Sequence, residues 1–525
     1  MIDTKKLRQK ILDLAIRGKL VSQGQNDEPA SVLLEHIREE KERLIAEGKI
    51  KRDKKESVIF CGTDSLHYEK VGSGEPVCIE KEIPFEVPES WEWVRSNQIA
   101  YVACGQTPDK KCFAPTGIPY IKMYNIRGQA IDFKYRPQYI TEDIHSGKLR
   151  RSIAYSGDLL MNIVGPPLGK LAIIPPDIPE CNFNQAAVVF RAYKTQLINQ
   201  WLFYYLDEMS EINSVATKGT AGQANVSLTQ SKNLRVPLPP VNEMGRIIKL
   251  LDSLLNLVEI IEKNQKELES LFEQAKAKIL DLAIRGKLVP QDPNDEPASI
   301  LLERIQEEKE RYIAEGKIKR AKKESYIFRG EDNSYYLRVK KTDVFIDEQL
   351  PFALPDSWIW CQLGQISNYG EVDNVAASKV PEDAWVLDLE DIEKDTGRII
   401  RRVTKAERGF LSTKHPFSSD QLLYSKLRPY LNKVLVAPED GFCTSEILPV
   451  VLYGGVCPVY IKGYLMSERF LQYANQCSYG VKMPRLGTRD GRQTFVSLPP
   501  LNEQVRISKF IDETTQLLDP LYNQR

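Results

Sequence analysis

Lys10-Ile-Leu-Asp-Leu-Ala-Ile-Arg-Gly-Lys-Leu-Val21 recurs without a change as Lys278 to Val289, an offset of 268 residues. The same offset carries Asn26-Asp-Glu-Pro-Ala-Ser31 onto Asn294 to Ser299, and Ile45-Ala-Glu-Gly-Lys-Ile-Lys-Arg52 onto Ile313 to Arg320. Ile83-Pro-Phe-Glu-Val-Pro-Glu-Ser-Trp-Glu-Trp93 matches Leu350-Pro-Phe-Ala-Leu-Pro-Asp-Ser-Trp-Ile-Trp360. Similarity then lapses, and returns where Leu238-Pro-Pro-Val-Asn-Glu243 matches Leu498-Pro-Pro-Leu-Asn-Glu503. Two near-identical frames thus hold two dissimilar inserts. A period this long is a duplicated module, not a solenoid of short repeats.

Working outward, the frames read as helices. From Asn242, apolar residues keep a heptad spacing through Ile247, Leu250, Leu254, Leu257, Ile261, Leu268, Leu271, Ala275 and Leu282, broken only by Asn264 and Lys278. That predicts a coiled-coil-like helix of about 65 Å, ending near Gly286. Asn502 to Arg525 resembles the first half of this helix, and Met1 to Val21 its second half. The two chain ends therefore supply one further copy. Laid end to end and antiparallel to the central helix, they predict a pseudo-two-fold internal repeat within one chain.

The expected organisation is α+β. Residues 1–81 form an N-terminal helix plus a helical basic linker, 82–241 a first insert, 242–290 the central helix, 291–347 a second helical basic linker, 348–501 a second insert, and 502–525 a C-terminal helix. The linkers carry Lys49, Lys51, Arg52, Lys54 and Lys55, then Lys317, Lys319, Arg320, Lys322 and Lys323. Within the inserts, short β-rich runs such as Leu171–Ile174, Ala187–Phe190, Val434–Val436 and Leu448–Leu452 precede helices around Leu197–Glu211 and Gly463–Asn475.

Composition narrows the function. The 525 residues balance 72 basic against 72 acidic side chains, which excludes a uniformly basic nucleic-acid binder. Nine scattered Cys without a Cys-x-x-Cys pair fit reduced thiols, and four distant His share no ligand spacing, so no metal site is expected. No signal-peptide core opens the chain and no apolar run is long enough to span a bilayer, so a cytoplasmic protein is expected. Phosphate-binding Gly-x-x-x-x-Gly-Lys-Ser/Thr, Gly-x-Gly-x-x-Gly and the Asn/Asp-Pro-Pro-Tyr/Phe of amino-methyltransferases are all missing. Glu142-Asp143 reads as solvated acid. The expectation is a chain that is not itself an enzyme.

The twin frames and variable inserts, with Leu-Pro-Pro-Val-Asn-Glu, Cys104-Gly-Gln-Thr-Pro108, Gly117-Ile-Pro-Tyr-Ile-Lys122, Ser156-Gly-Asp-Leu-Leu160 and Leu168-Gly-Lys170, resemble the specificity subunits of type I restriction–modification systems. The likeness covers essentially the whole chain. It implies two target-recognition domains separated by long antiparallel coiled-coil-like helices, each domain reading one half of a bipartite, asymmetric DNA target, with the helices setting the spacing between the halves and docking methyltransferase subunits. It further implies two methyltransferase subunits as partners and, with them, restriction subunits. S-adenosylmethionine and ATP with Mg would be used by those partners; no cofactor is expected on this chain. The second insert departs from the pattern, with Asn368-Tyr-Gly-Glu371 in place of Gly-Gln-Thr-Pro, and Ser425-Lys-Leu-Arg-Pro-Tyr430 in place of Asn162-Ile-Val-Gly-Pro166. Different half-sites are the expected consequence.

Arg and Lys suit guanine O6/N7, and Asn and Gln suit adenine N6/N7. On that chemistry the candidate DNA-binding residues of the first insert are Lys110, Lys111, Arg150, Arg151, Asn162, Lys170, Lys218, Gln223 and Asn225. Those of the second are Arg398, Arg401, Arg402, Lys414, Lys426, Arg428, Lys482, Arg485, Arg489 and Arg492. The inserts carry net charges of only +2 (82–241) and −1 (348–501), so weak DNA affinity is expected of the chain alone. Trp91, Trp93, Trp358 and Trp360 sit in the shared frame and read as structural, not as base-stacking platforms. A coiled-coil scaffold binding proteins through its inserts is the alternative; its binding would lack the steep salt dependence of phosphate contacts.

Overall fold

The computed structural model describes residues 2–52, 57–218, 224–318, 320 and 325–522. The chain divides into two compact units, Ile2–Asn264 and Gln265–Arg525. Each is assembled from the same parts in the same order.

In the first unit, helix Thr4–Ile16 is capped by Asp3, whose carboxylate accepts from the Lys6 amide at 3.0 Å. It shares one core with helix Ala30–Ala46, the insert, and the start of helix Val241–Ile284 through Leu12, Ala15, Ile37, Trp91, Trp201, Ile247 and Leu251. In the second unit, the end of Val241–Ile284 and helix Leu501–Tyr522 hold the matching places, sharing a core with Ala298–Ala314 through Ile284, Leu301, Trp358, Tyr460 and Ile507. Half of the long helix therefore stands in each unit for what a chain end supplies in the other.

Each insert is closed by pairing its entry strand with its exit strand, Glu92–Arg95 with Arg235–Leu238 and Ile359–Gln362 with Phe495–Leu498. Behind the closure, Trp201 Nε1 donates to Pro237 O (2.7 Å) in one unit and Tyr460 Oη to Ser497 O (2.6 Å) in the other. The helix that follows the exit strand is locked just as symmetrically. Gln23 Nε2 donates to the buried Glu243 at 2.7 Å, and Gln291 Nε2 to the buried Glu503 at 2.6 Å, while Arg246 pairs with Asp27 and Arg506 with Asp295, both at 2.6 Å. Burial pushes both glutamate carboxyls up.

Within the inserts, Leu159–Asn162 lies between Leu171–Ile173 and Ala187–Ala192, and Leu422–Ser425 lies likewise between Val434–Val436 and Ile447–Val450. The first insert also carries a five-stranded sheet, 153–155, 180–183, 118–121, 139–140 and 113–114 in spatial order. Gly105, in Cys104-Gly-Gln-Thr-Pro108, must be glycine here: a Cβ would stand 2.1 Å from the Asn184 carbonyl oxygen.

The structure corrects several sequence expectations. The two linkers are not helical throughout. Ser57–Cys61, His67–Val71 and Val77–Cys78 form one three-stranded meander, and Ser325–Arg329, Tyr335–Val339 and Thr342–Phe345 another. Their first turns match: Gly62 N–H donates to Leu66 O with Tyr68 Oη on Asp64, and Gly330 N–H donates to Ser334 O with Tyr336 Oη on Asp332. The helix around 197–211 is two, Leu197–Asp207 and Ser210–Val215, broken by Met209 in the left-handed region, and that around 463–475 is Pro458–Met466 and Glu468–Cys477. The long helix buries Met244, Ile247, Ile248, Leu251, Leu255 and Val258, whereas Leu257, Leu268 and Leu271 of the heptad series are exposed. The buried stripe shares Ile247 with the heptad series and Leu254 packs at its margin, but it then runs through Ile248, Leu251, Leu255 and Val258 instead of the heptad positions.

Candidate nucleic-acid interface

In both inserts, the loop after the central strand is zipped to a second loop that comes much later in the chain. In the first unit, Gly165 N–H donates to Ala224 O (3.0 Å) and Val226 N–H to Ile163 O (2.9 Å), bridging Val164 to Asn225. In the second, Arg428 N–H donates to Pro484 O (2.7 Å) and Leu486 N–H to Lys426 O (3.0 Å), bridging Leu427 to Arg485. The registers are identical. Asn162 thus corresponds to Ser425, Val164 to Leu427, Gly165 to Arg428, and Asn225 to Arg485.

The base of each loop is built alike from unlike residues. Asn162 is buried; its Nδ2 donates to Val164 O and Pro167 O (2.9 and 2.8 Å), and its Oδ1 accepts from Lys170 N–H at 2.6 Å. Its carboxamide is spent on the loop, so Asn162 shapes the edge rather than presenting itself on it. Ser425 Oγ does part of that work by donating to Leu427 O at 3.0 Å. Both loops return through a left-handed residue, Gly169 or Asn432, to a lysine that opens the next strand. Lys170 Nζ donates to Met123 O (3.5 Å), and Lys433 Nζ to Leu389 O (2.6 Å), tying each loop to the turn 123–125 or 389–391. Partial burial draws the Lys433 ammonium below its usual range. Lys433 was not among the sequence candidates, although Leu431-Asn-Lys433 before Val434–Val436 mirrors Leu168-Gly-Lys170 before Leu171–Ile173.

The remaining candidates differ in their surroundings. Lys110 and Lys111, on turn Lys110–Cys112, and Arg150 and Arg151, on turn Arg150–Ser152, are exposed, and the Asp109–Lys148 pair (2.8 Å) ties the first turn to the residues that lead into the second. Several second-insert cations are committed to carboxylates: Arg398 to Glu393, Arg401 to Asp391 and Glu390, Arg402 to Glu439, Arg485 to Glu446, and Arg492 to Glu371. Lys414 is buried, its ammonium 4.3 Å from the Phe410 ring centroid and 3.9 Å from Asp388, which removes it from any surface. Lys426, Arg428, Lys482 and Arg489 have no carboxylate within salt-bridge distance among the described residues, and the first three belong to the zipped loops. Asn225 is half-buried in the first unit's second loop, paired with Thr217. Gln223, Lys54, Lys55, Lys319, Lys322 and Lys323 lie outside the described residues, as does the side chain of Lys218.

A cluster the sequence reading missed stands beside the Lys170 loop. The Arg127 and Arg136 guanidinium carbons lie 4.3 and 5.4 Å from the Tyr135 ring centroid, and Tyr124 packs edge-on to Tyr135 at 6.1 Å. Arg127 also pairs with Asp132 at 3.8 Å, which leaves Arg136 and the aromatic rings as the part of the cluster suited to a phosphate and to stacking against bases. In the second unit the exposed residues of the loop pair are mixed: Arg428 and Lys482 stand among Tyr430, Tyr479, Val481 and Met483. All four frame tryptophans are buried, as the structural reading expects. Glu142 and Asp143 are exposed.

Residues 88–270 match the family described as Type I restriction modification DNA specificity domain. The chain is 27% identical to the type I restriction enzyme EcoAI specificity subunit of Escherichia coli, over 98% of this chain and 90% of that protein. It is 29% identical to the EcoEI specificity subunit of the same organism, over 73% of this chain and 65% of that one. Among solved structures, a chain from work on assembly and conformational transition of the type I R-M system aligns with a TM-score of 0.50 at 17% identity, over 83% of this chain and 93% of that chain. That likeness extends to the fold.

Proposed function

The chain belongs to the specificity subunits of type I restriction–modification systems, and from that premise we propose that it selects the DNA sequence on which such a system acts. Each unit reads one half of a bipartite target in the major groove. One observation carries this reading: both units build the same zipped loop pair in the same hydrogen-bond register and fill it with different side chains. A common scaffold with unlike contents is what an asymmetric target requires.

The chemistry is done elsewhere. Two methyltransferase subunits use S-adenosylmethionine to methylate adenine, and restriction subunits use ATP with Mg to move and cut DNA. Exposed apolar residues on the frame helices support docking of such subunits: Leu257, Ile260, Leu268 and Leu271 on Val241–Ile284, and Val505, Phe510 and Leu517 on Leu501–Tyr522. Among the described residues no helix is long and apolar enough to cross a membrane. The near-neutral inserts make the partner subunits contributors to the DNA clamp.

Salt dependence tests this directly. The complex of chain and methyltransferase is expected to lose about 10³-fold or more in affinity for its target duplex between 50 and 200 mM salt, for roughly six or more neutralised phosphates. The chain alone should bind weakly at either concentration. Affinity of the complex that is flat in salt would remove phosphate contact and with it the DNA-reading assignment.

A further inference from the structure

Resting on the reading above, we propose that Arg428 is the base-discriminating side chain of the second unit, and that it reads a guanine in that unit's half-site. Three observations converge. First, Arg428 has φ 51° and ψ 63°, a left-handed conformation that L side chains rarely adopt. The equivalent residue of the first unit is Gly165, whose own φ lies outside that region, so the left-handed turn belongs to the second unit's loop. The strained backbone is held in place: Arg428 N–H donates to Pro484 O at 2.7 Å, its carbonyl accepts from Leu431 N–H at 2.9 Å, and Pro429 follows. Strain kept at a loop apex, where a glycine would relieve it, points to a use for the side chain.

Second, its charge is uncommitted. Arg398, Arg401, Arg402, Arg485 and Arg492 of the same insert are each paired with a carboxylate, whereas the exposed Arg428 has none within 4 Å among the described residues. A planar fork of donors on a fixed backbone is the geometry that guanine O6 and N7 accept together. Third, its neighbours suit a groove. The exposed Lys482 can neutralise a flanking phosphate, and Val481, fully exposed at 101%, and Met483, at 46%, offer apolar contact to a thymine methyl. In the first unit, no side chain occupies the Arg428 position, so the two half-sites are read from different points of the same scaffold.

The informative variant is Arg428→Gly, because glycine takes the left-handed conformation freely and the fold should keep or raise its melting temperature. Assembled with its cognate methyltransferase, this variant is expected to relax one position, in one half of the methylated motif, from guanine to any base. In competition binding it should lose about 5- to 150-fold of discrimination at that position. Arg428→Lys should retain part of that preference. The assignment is overturned if Arg428→Gly leaves the motif unchanged, or if it weakens binding to all sequences alike, which marks a phosphate contact. These outcomes differ from failure of the parent reading, in which the wild-type chain itself confers no motif.

Discussion

Seven residues inserted after Asn264 are expected to lengthen the unread gap of the methylated motif while both half-site sequences stay as they were. Asn264 closes the first compact unit and Gln265 opens the second, and both lie within the continuous helix Val241–Ile284. No residue between Glu259 and Lys278 is buried, so the insertion disturbs neither core. A heptad adds about 10 Å of helix and turns its far end by only ~20°. That length is the rise of about three base pairs, with about 10 pairs spanning 34–36 Å. Sequencing the methylated adenines of cells carrying the insertion reads the result. New half-site bases at an unchanged gap would contradict the role of the helix in setting the spacing.

Trp358→Ala should unfold the second unit at a lower temperature and leave the first unit's transition in place. The indole is 2% exposed, donates from Nε1 to Glu503 Oε2 at 2.9 Å, and meets the Tyr460 ring edge-on at 6.3 Å. Its removal opens a large cavity and leaves the buried Glu503 short of a donor, a loss of about 3–5 kcal/mol. For a unit of this size that lowers the midpoint by about 10 °C. The two cores share no residue, so calorimetry should resolve two transitions where the variant shifts only one. A single transition displaced as a whole would show that the units melt together. Trp91→Ala, which removes the edge-on contact with Trp201 at 5.5 Å, should do the same to the first unit.

The frame was legible because it is written twice. Identical helix ends and matched Leu-Pro-Pro-x-Asn-Glu starts reveal the duplication, and the long helix follows from its apolar spacing. Its buried stripe was harder, since Leu250, Leu254 and Leu257 continue a heptad as well as Met244, Ile248 and Leu255 do; only the insert decides which stripe it covers. The meanders were missed because strands such as His67–Val71 lack a clean alternation, although Phe60-Cys-Gly-Thr-Asp64 and Phe328-Arg-Gly-Glu-Asp332 repeat the turn at the frame's own offset. At the interface, residue type alone nominated nineteen side chains. Which cations are already neutralised depends on partners far away in sequence, such as Glu446 for Arg485 and Glu371 for Arg492, and no local pattern announces these. The loop pairing itself joins segments about 60 residues apart, so it emerges only from the backbone register.

The most direct measurement maps methylated adenine in DNA from cells making this chain with its cognate methyltransferase subunit, against cells lacking only the chain. A split, asymmetric motif that appears only with the chain is the predicted result, and it names both half-sites at once. A complex that assembles and methylates DNA with no motif depending on the chain would contradict the claim that this protein chooses the sequence.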